Sequence, residues 1–225
     1  HIERGAVQFT YSVGNALPPA ASERNPNLAG MGFEAISISM IVHPQNPYAP
    51  TFHANLRFSL VNENHWHFGG GFDLTPFYPY PEDVLHWHRQ AKSACEPFGP
   101  KIYPTFKSWC DDYFFLSHRQ ETRGVGGLFF DDWNEGGFNT CFDLTRSIGQ
   151  HTQPAYLPIL ERRKTQDDVE RVLRETKKKC ARLEGELRGR RMTRKNRSHG
   201  GHAGAGSPTT TLTLATTPHT NGERP

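Results

Sequence analysis

The chain has no Cys-x-x-Cys pair, no apolar run close to the ~18–20 residues of a membrane-spanning helix, and no internal repeat. Each absence closes off a class. The four cysteines, Cys95, Cys110, Cys141 and Cys180, stand far apart, which fits isolated thiols in a reducing compartment rather than a disulfide framework or a zinc site. The chain opens on His1 with neither signal peptide nor basic amphipathic leader, as a fragment or a processed form does. His-Glu-x-x-His and facial-triad spacings are missing, as are a Gly-x-Ser-x-Gly elbow, a dinucleotide fingerprint and a phosphate loop.

The net charge of +3 hides an asymmetry. Residues 1–160 hold 10 Lys+Arg against 15 Asp+Glu, a net of −5, whereas residues 161–197 hold 15 against 7, a net of +8. The basic balance therefore belongs to one segment and is not a nucleic-acid footprint of the whole chain. That segment starts with a capping box in TQDD and carries Val169, Leu173, Thr176, Cys180, Leu183 and Leu187 at coiled-coil-like spacing, so a basic helix is expected over 165–197. From Ser198 the chain is rich in Gly, Thr, Pro and His without periodicity, which predicts disorder over 198–225.

What is present is a polar alternation. In IVHPQNPYAPTFHANLRF, residues 41–58, His53, Asn55 and Arg57 interleave with Ala54, Leu56 and Phe58. A strand points successive side chains to opposite faces, so two strands at about 33–43 and 52–61, joined by a Pro-rich loop, would turn Ser39, His43, His53, Asn55 and Arg57 to one side. An amphipathic hairpin wetting its outer face explains the same pattern. An earlier strand is predicted in AVQFTYSV. HWHFGGGFDLTPFYPYPED reads as a further strand ending in a glycine-rich corner; the glycines permit close backbone approach, and Asp73 can anchor a cationic or pyrrole-type N–H.

Helices are expected over 83–95 and over 103–124, the second with an apolar stripe of Phe106, Trp109, Cys110, Tyr113 and Phe114. Its last turn would hold His118, Arg119 and Arg123, where the helix dipole by itself accounts for a histidine. His86 and His88, two apart on the first helix, cannot share a face. GVGGLFFDDW predicts a short apolar strand ending in Asp131 and Asp132, adjacent carboxylates that can serve acid–base chemistry but are better read as caps of the following helix, and two more helices are expected at 136–149 and 154–164. The pattern as a whole describes a cleft rich in His, Arg and Asn, suited to an acidic ligand.

HPQNPYAPTFHANLRF, WHFGGGFDLTPFYPYPED, HWHR, YPTFKSWCDDYFFLSHRQETRGVGGLFFDD and AYLPILERRK, in that order, resemble the oxygen-dependent coproporphyrinogen III oxidases from about Gly5 to Lys164. The resemblance implies an α+β fold: a large, mainly antiparallel sheet flanked by helices on both faces, assembled as a homodimer. It implies oxidative decarboxylation of two propionates of coproporphyrinogen III to vinyls, giving protoporphyrinogen IX in haem synthesis. The oxidant would be dioxygen as co-substrate, without an organic cofactor. Carried over by position, His53, Asp73 and Arg123 take catalytic roles, with His53 the proton donor. Ser39, Asn55, Leu56 and Arg57 contact substrate. His43, His53, His88 and His118 match ligands of a divalent metal, manganese or another, in bacterial members.

Residues 165–225 depart from the family, which continues there with further strands and a Gly-Gly-Arg-type loop; a segment before His1 is missing too. The expectation is thus a partial oxidase-like domain over 1–164, an incomplete sheet with an unpaired edge, the basic helix and the tail. Two readings stay open: an oxidase, impaired by these departures, or a non-catalytic porphyrin-binding fragment. No nucleic-acid partner and no membrane span are expected, and the compartment is cytoplasmic, as in bacteria, or organellar.

Overall fold

A computed structural model of the chain describes residues 2–17, 26–62 and 65–164, together with the backbone of 209–215. Strands β1 (Ile2–Gly14), β2 (Phe33–Pro44), β3 (Thr51–Val61) and β4 (His65–Thr75) pair antiparallel in succession. Helices α1 (Pro81–Cys95) and α2 (Ile102–Tyr113) follow, then a small hairpin of β5 (Phe115–Leu116) and β6 (Glu121–Thr122). Strand β7 (Gly126–Trp133) returns to pair with β4, and α3 (Phe138–Arg163) ends the continuous part. The result is an α+β fold on a five-strand antiparallel sheet, ordered β7-β4-β3-β2-β1. The backbone of β8 (Thr209–Ala215) lies along β1, from Ser12↔Thr209 to Ala6↔Ala215. The sheet edge expected to be unpaired, and seven residues of the tail expected to be disordered, thus meet in one ladder. The expected basic helix at 165–197 lies outside the described residues.

Strand alternation builds the core. Phe52, Phe68, Phe72, Leu74, Leu128 and Phe130 point to one face and are buried against Trp87 and Ala91 of α1, Phe106 of α2, and Leu144, Ile148 and Ile159 of α3. Phe106 stacks on Phe130 at 4.7 Å, and Trp87 meets Phe72 edge-on at 4.9 Å. Each such buried aromatic contributes on the order of 2 kcal/mol. All three described helices cover this face, where the family resemblance implied helices on both.

The structure corrects three expectations. One helix, α3, replaces the two expected around Pro154, although both Pro154 and Pro158 lie inside it. Pro158 has no N–H to give the Pro154 carbonyl, and the His86 Nε2–H donates to that carbonyl instead at 2.9 Å. Second, α2 stops at Tyr113 rather than near Gly124. Phe114 leaves the helix, its carbonyl accepts the Arg123 N–H, and the Arg123 guanidinium stacks on its ring at 4.0 Å. This tertiary pull outweighs helix propensity, and His118 falls in the β5–β6 turn instead of at a helix end. Third, the glycine triplet is no corner but lies mid-strand in β4. A Cβ on Gly70 would sit 2.2 Å from the Asn55 carbonyl oxygen and one on Gly71 1.9 Å from that of Leu128, so the neighbouring strands themselves require glycine there.

An ion cluster centred on the buried pair Asp83 and Arg163 fastens the start of α1 to the end of α3. Asp83 accepts from Arg162 Nη2 at 2.9 Å and from Arg163 Nε at 2.7 Å, while Arg163 also reaches Glu82 at 2.5 Å and stacks on Tyr80 at 3.5 Å. The ERRK motif is therefore structural at its arginines.

Candidate active site

The face of the sheet opposite the helices carries a cavity of about 520 Å³. Strand register sets its floor in three rows. Ile41, His53, Asp73 and Gly127 are successive cross-strand neighbours; so are Ser39, Asn55, Gly71 and Phe129; and Ser37, Arg57 and Gly69 form the third. Gly69 and Gly71 put no side chain on this face, so the polar groups of β3 look across bare backbone towards β7. Tyr113, Phe114 and Arg123 form a wall at the β7 side. Tyr113 stacks on Phe129 at 4.0 Å.

At one end sit His53, Asp73 and Arg123. Asp73 is buried; its Oδ2 accepts from Arg123 Nη2 at 2.6 Å and lies 3.4 Å from His53 Nδ1. Burial alone would raise the Asp73 carboxyl, but the His53 imidazole and the Arg123 guanidinium outweigh it and hold the group below the usual carboxylate range. Asp73 is therefore an anion at neutral pH. His53 Nδ1 and Arg123 Nε are buried without a hydrogen-bond partner, since the His53–Asp73 approach is an ion-pair distance without hydrogen-bond alignment. Two donor-capable nitrogens thus lie beside a fixed carboxylate.

The other end is a chain of side-chain contacts. Asn55 Nδ2 donates to Ser39 Oγ at 2.7 Å, Arg57 Nη1 donates to Asn55 Oδ1 at 2.9 Å, and Arg57 Nη2 meets Asp131 Oδ1 at 2.9 Å. Ser39, His53, Asn55, Arg57, Asp73 and Arg123 accordingly line one cavity. Leu56 does not. It points to the helix face, where a Cβ on Gly149 would touch its Cδ1 at 2.7 Å.

The four histidines that the resemblance assigns to a metal are not brought together. His43 and His53 are edge to face, with ring centroids 5.8 Å apart. His88 donates from Nε2 to the Val125 carbonyl at 2.9 Å, and its Nδ1 accepts from the Tyr103 hydroxyl at 3.1 Å, so neither nitrogen is available to an ion. Burial lowers its basicity, in keeping with this neutral tautomer. Among the described residues no group of three or more His, Cys, Asp or Glu side chains is placed to hold a metal. This arrangement does not fit such an ion, and no step below uses one.

Two features were missed in the sequence. Helical spacing puts Tyr113 and Phe114 on the apolar stripe of α2, yet they line the cavity. Asp131 and Asp132 were placed as helix caps, whereas Asp131 pairs with Arg57 and Asp132 lies 3.4 Å from His67 Nε2; α3 starts after Gly137 without a side-chain cap. The parity of GLFFDD, which sets Phe129 and Asp131 on one face, was the available signal.

The model of one protein family, coproporphyrinogen III oxidase, matches residues 1–180, and so takes in every strand, helix and site residue described above except β8. The cavity floor, its glycine rows and its two arginines thus lie within the matched region, and the chain belongs to the coproporphyrinogen III oxidase family.

Proposed function

We propose that the chain catalyses oxygen-dependent oxidative decarboxylation of coproporphyrinogen III, turning two propionates into vinyls to give protoporphyrinogen IX. For each propionate the balance is R–CH2–CH2–COO⁻ + O2 + H⁺ → R–CH=CH2 + CO2 + H2O2. The porphyrinogen supplies two electrons and dioxygen accepts them, so no organic cofactor enters the balance. The observation that carries this reading is the buried Asp73 carboxylate, held ionised between Arg123 and His53 on the floor of a cavity that also presents Arg57.

Each group has a chemical task. An ionised carboxylate in a low-dielectric site accepts hydrogen bonds from pyrrole N–H groups more strongly than it would in water. Arg57, with two of its five N–H donors taken by Asn55 and Asp131, offers the remaining edge to a propionate. His53, in the same row as Asp73 and two rows from Arg57, is the side chain suited to supply or remove a proton near neutrality. Phe129 and Tyr113 give the macrocycle an apolar wall.

The test is incubation of purified chain with coproporphyrinogen III in air and under argon, followed by oxidation to porphyrins and chromatography with fluorescence detection. Protoporphyrin appearing in air alone is the expected result. Unchanged substrate from folded chain refutes turnover, and tight porphyrin binding in that case identifies a porphyrin-binding protein instead.

A further inference from the structure

We infer that Asp131 is a positioning residue: it holds the Arg57 guanidinium across the bare backbone of Gly69, so that the donor edge of Arg57 is fixed before a propionate arrives. The inference rests on the proposed reading of the cavity for its ligand, but on geometry alone for the contact.

Three observations converge. Arg57 and Gly69 are direct cross-strand partners in β3 and β4. The next strand, β7, breaks register at this point, because Phe68 pairs with Trp133 and Gly70 with Phe130, so that Asp131 and Asp132 together stand opposite Gly69. Asp132 takes a left-handed φ of 52°, as the added residue of a bulge does, and its N–H donates to Asp131 Oδ1 at 3.0 Å. The bulge thereby aims the Asp131 carboxylate back over Gly69. There it meets Arg57 at 2.9 Å, with the Asn55 amide gripping the same guanidinium from the other side.

Gly69 completes the device. A Cβ at that position would stand 2.7 Å from Arg57 Nε, 2.9 Å from Arg57 Cζ and 2.8 Å from Asp131 Oδ1. The pair occupies the volume a side chain would take, so glycine is required there by the ion pair rather than by backbone conformation.

Positioning and mere charge neutralisation predict opposite signs. If Asp131 only masks the positive charge of Arg57, removing it strengthens binding of an anionic ligand. If Asp131 fixes Arg57, removing it releases the guanidinium and weakens binding, while asparagine, which keeps an acceptor and loses the charge, retains it. The experiment has two arms on the full chain. In the first, the Nε–H resonance of Arg57 is assigned by its loss in Arg57→Lys and followed without ligand. A dispersed, slowly exchanging signal is expected in wild type and Asp131→Asn, and an averaged, fast-exchanging one in Asp131→Ala. In the second, coproporphyrin III is titrated by fluorescence. Asp131→Ala is expected to raise Kd at least fivefold, Asp131→Asn less than twofold, and Asp131→Ala to have no effect in an Arg57→Ala background. Gly69→Ala, shown to be folded by circular dichroism, should reproduce the Asp131→Ala Kd.

An Arg57 signal as well ordered in Asp131→Ala as in wild type overturns the inference, as does unchanged or tighter coproporphyrin binding by that variant. Wild type that binds no coproporphyrin and leaves coproporphyrinogen III unchanged in air refutes the proposed function instead, and the resonance arm still decides the role of Asp131.

Discussion

Asp73→Asn keeps the shape of the side chain and removes its charge from between Arg123 and His53. Arg123, 11 % exposed, then keeps a buried positive charge without its carboxylate. Breaking one side of a buried pair costs on the order of 3–5 kcal/mol. Two contacts reduce that figure: an amide oxygen still accepts from Arg123, and the Phe114 ring under the guanidinium offsets about 1 kcal/mol. A net loss of about 2–3 kcal/mol is expected, which lowers Tm by roughly 4–12 °C at ~2–4 °C per kcal/mol for a chain of this size. Thermal unfolding followed by circular dichroism at pH 7 reads it.

The pH dependence identifies the cause. Because the Asp73 pKa is lowered in the folded state, its charge contributes stability that is fully present above the unfolded carboxylate value of about 4. That contribution is lost as pH falls through the lower, folded value. The gap between wild type and variant is therefore flat from about pH 5 to 8 and closes only below about pH 4. A variant as stable as wild type at pH 7 would refute the reasoning outright. A gap that widens as pH falls from about 7 to 6 would move the cause to a histidine.

Three further outcomes are expected. His53→Ala and Arg57→Ala each lower turnover of coproporphyrinogen III by at least about tenfold in a chain that stays folded; steady-state rates equal to wild type in either would sink that residue's role. Asp83→Ala strands the guanidinium of Arg163 near the α1 terminus and costs about 3–5 kcal/mol, read as a lower urea midpoint; a loss below about 1 kcal/mol would show that Glu82 and Tyr80 suffice. Burial pushes the Cys95 thiol up to about 12, raises Cys110 further and also raises Cys141. In a Cys180→Ser background the native chain should thus give no colour with Ellman's reagent at pH 8, while the unfolded chain titrates three thiols; rapid native reaction would contradict that burial.

The floor of the site was legible because a strand's side-chain period of two needs no tertiary information. Once His53, Asn55 and Arg57 are placed in alternation, their shared face follows, and the register with Ser39 and Asp73 is a consequence of hairpin pairing. The same rule excludes Leu56, which positional carry-over from a family pattern included. The wall was not legible in this way. Tyr113 and Phe114 continue the helical spacing of Phe106 and Cys110, and only the tertiary structure shows Tyr113 stacked on Phe129 and Phe114 under Arg123. The Asp131–Asp132 bulge escaped for a related reason: an added residue in one strand shows itself only against the register of its neighbour. The continuous α3 depended on His86, 68 positions away, replacing a hydrogen bond that Pro158 cannot make.

Alternation also explains an imbalance across the sheet. On the helix face, β3, β4 and β7 are covered by α1, α2 and α3, whereas Ile36 and Ile38 of β2 and Phe9, Tyr11 and Val13 of β1 remain exposed there. Phe9 faces Ile38 and Tyr11 faces Ile36 across the β1–β2 ladder, so these side chains form one continuous apolar stripe. The catalytic candidates are drawn from the covered half: His53 and Arg57 from β3, Asp73 from β4, and the wall from α2, β7 and the turn after β6. Ser37 and Ser39 of the polar floor come from β2, and Ser39 is tied to the covered half through Asn55. The layer directly behind Asp73 and Arg57 is the buried aromatic one, Phe72 and Phe130 among it, and not the exposed β1–β2 edge. A single strand parity lines the cavity on one face, and the opposite parity of the same strands supplies the packing behind it.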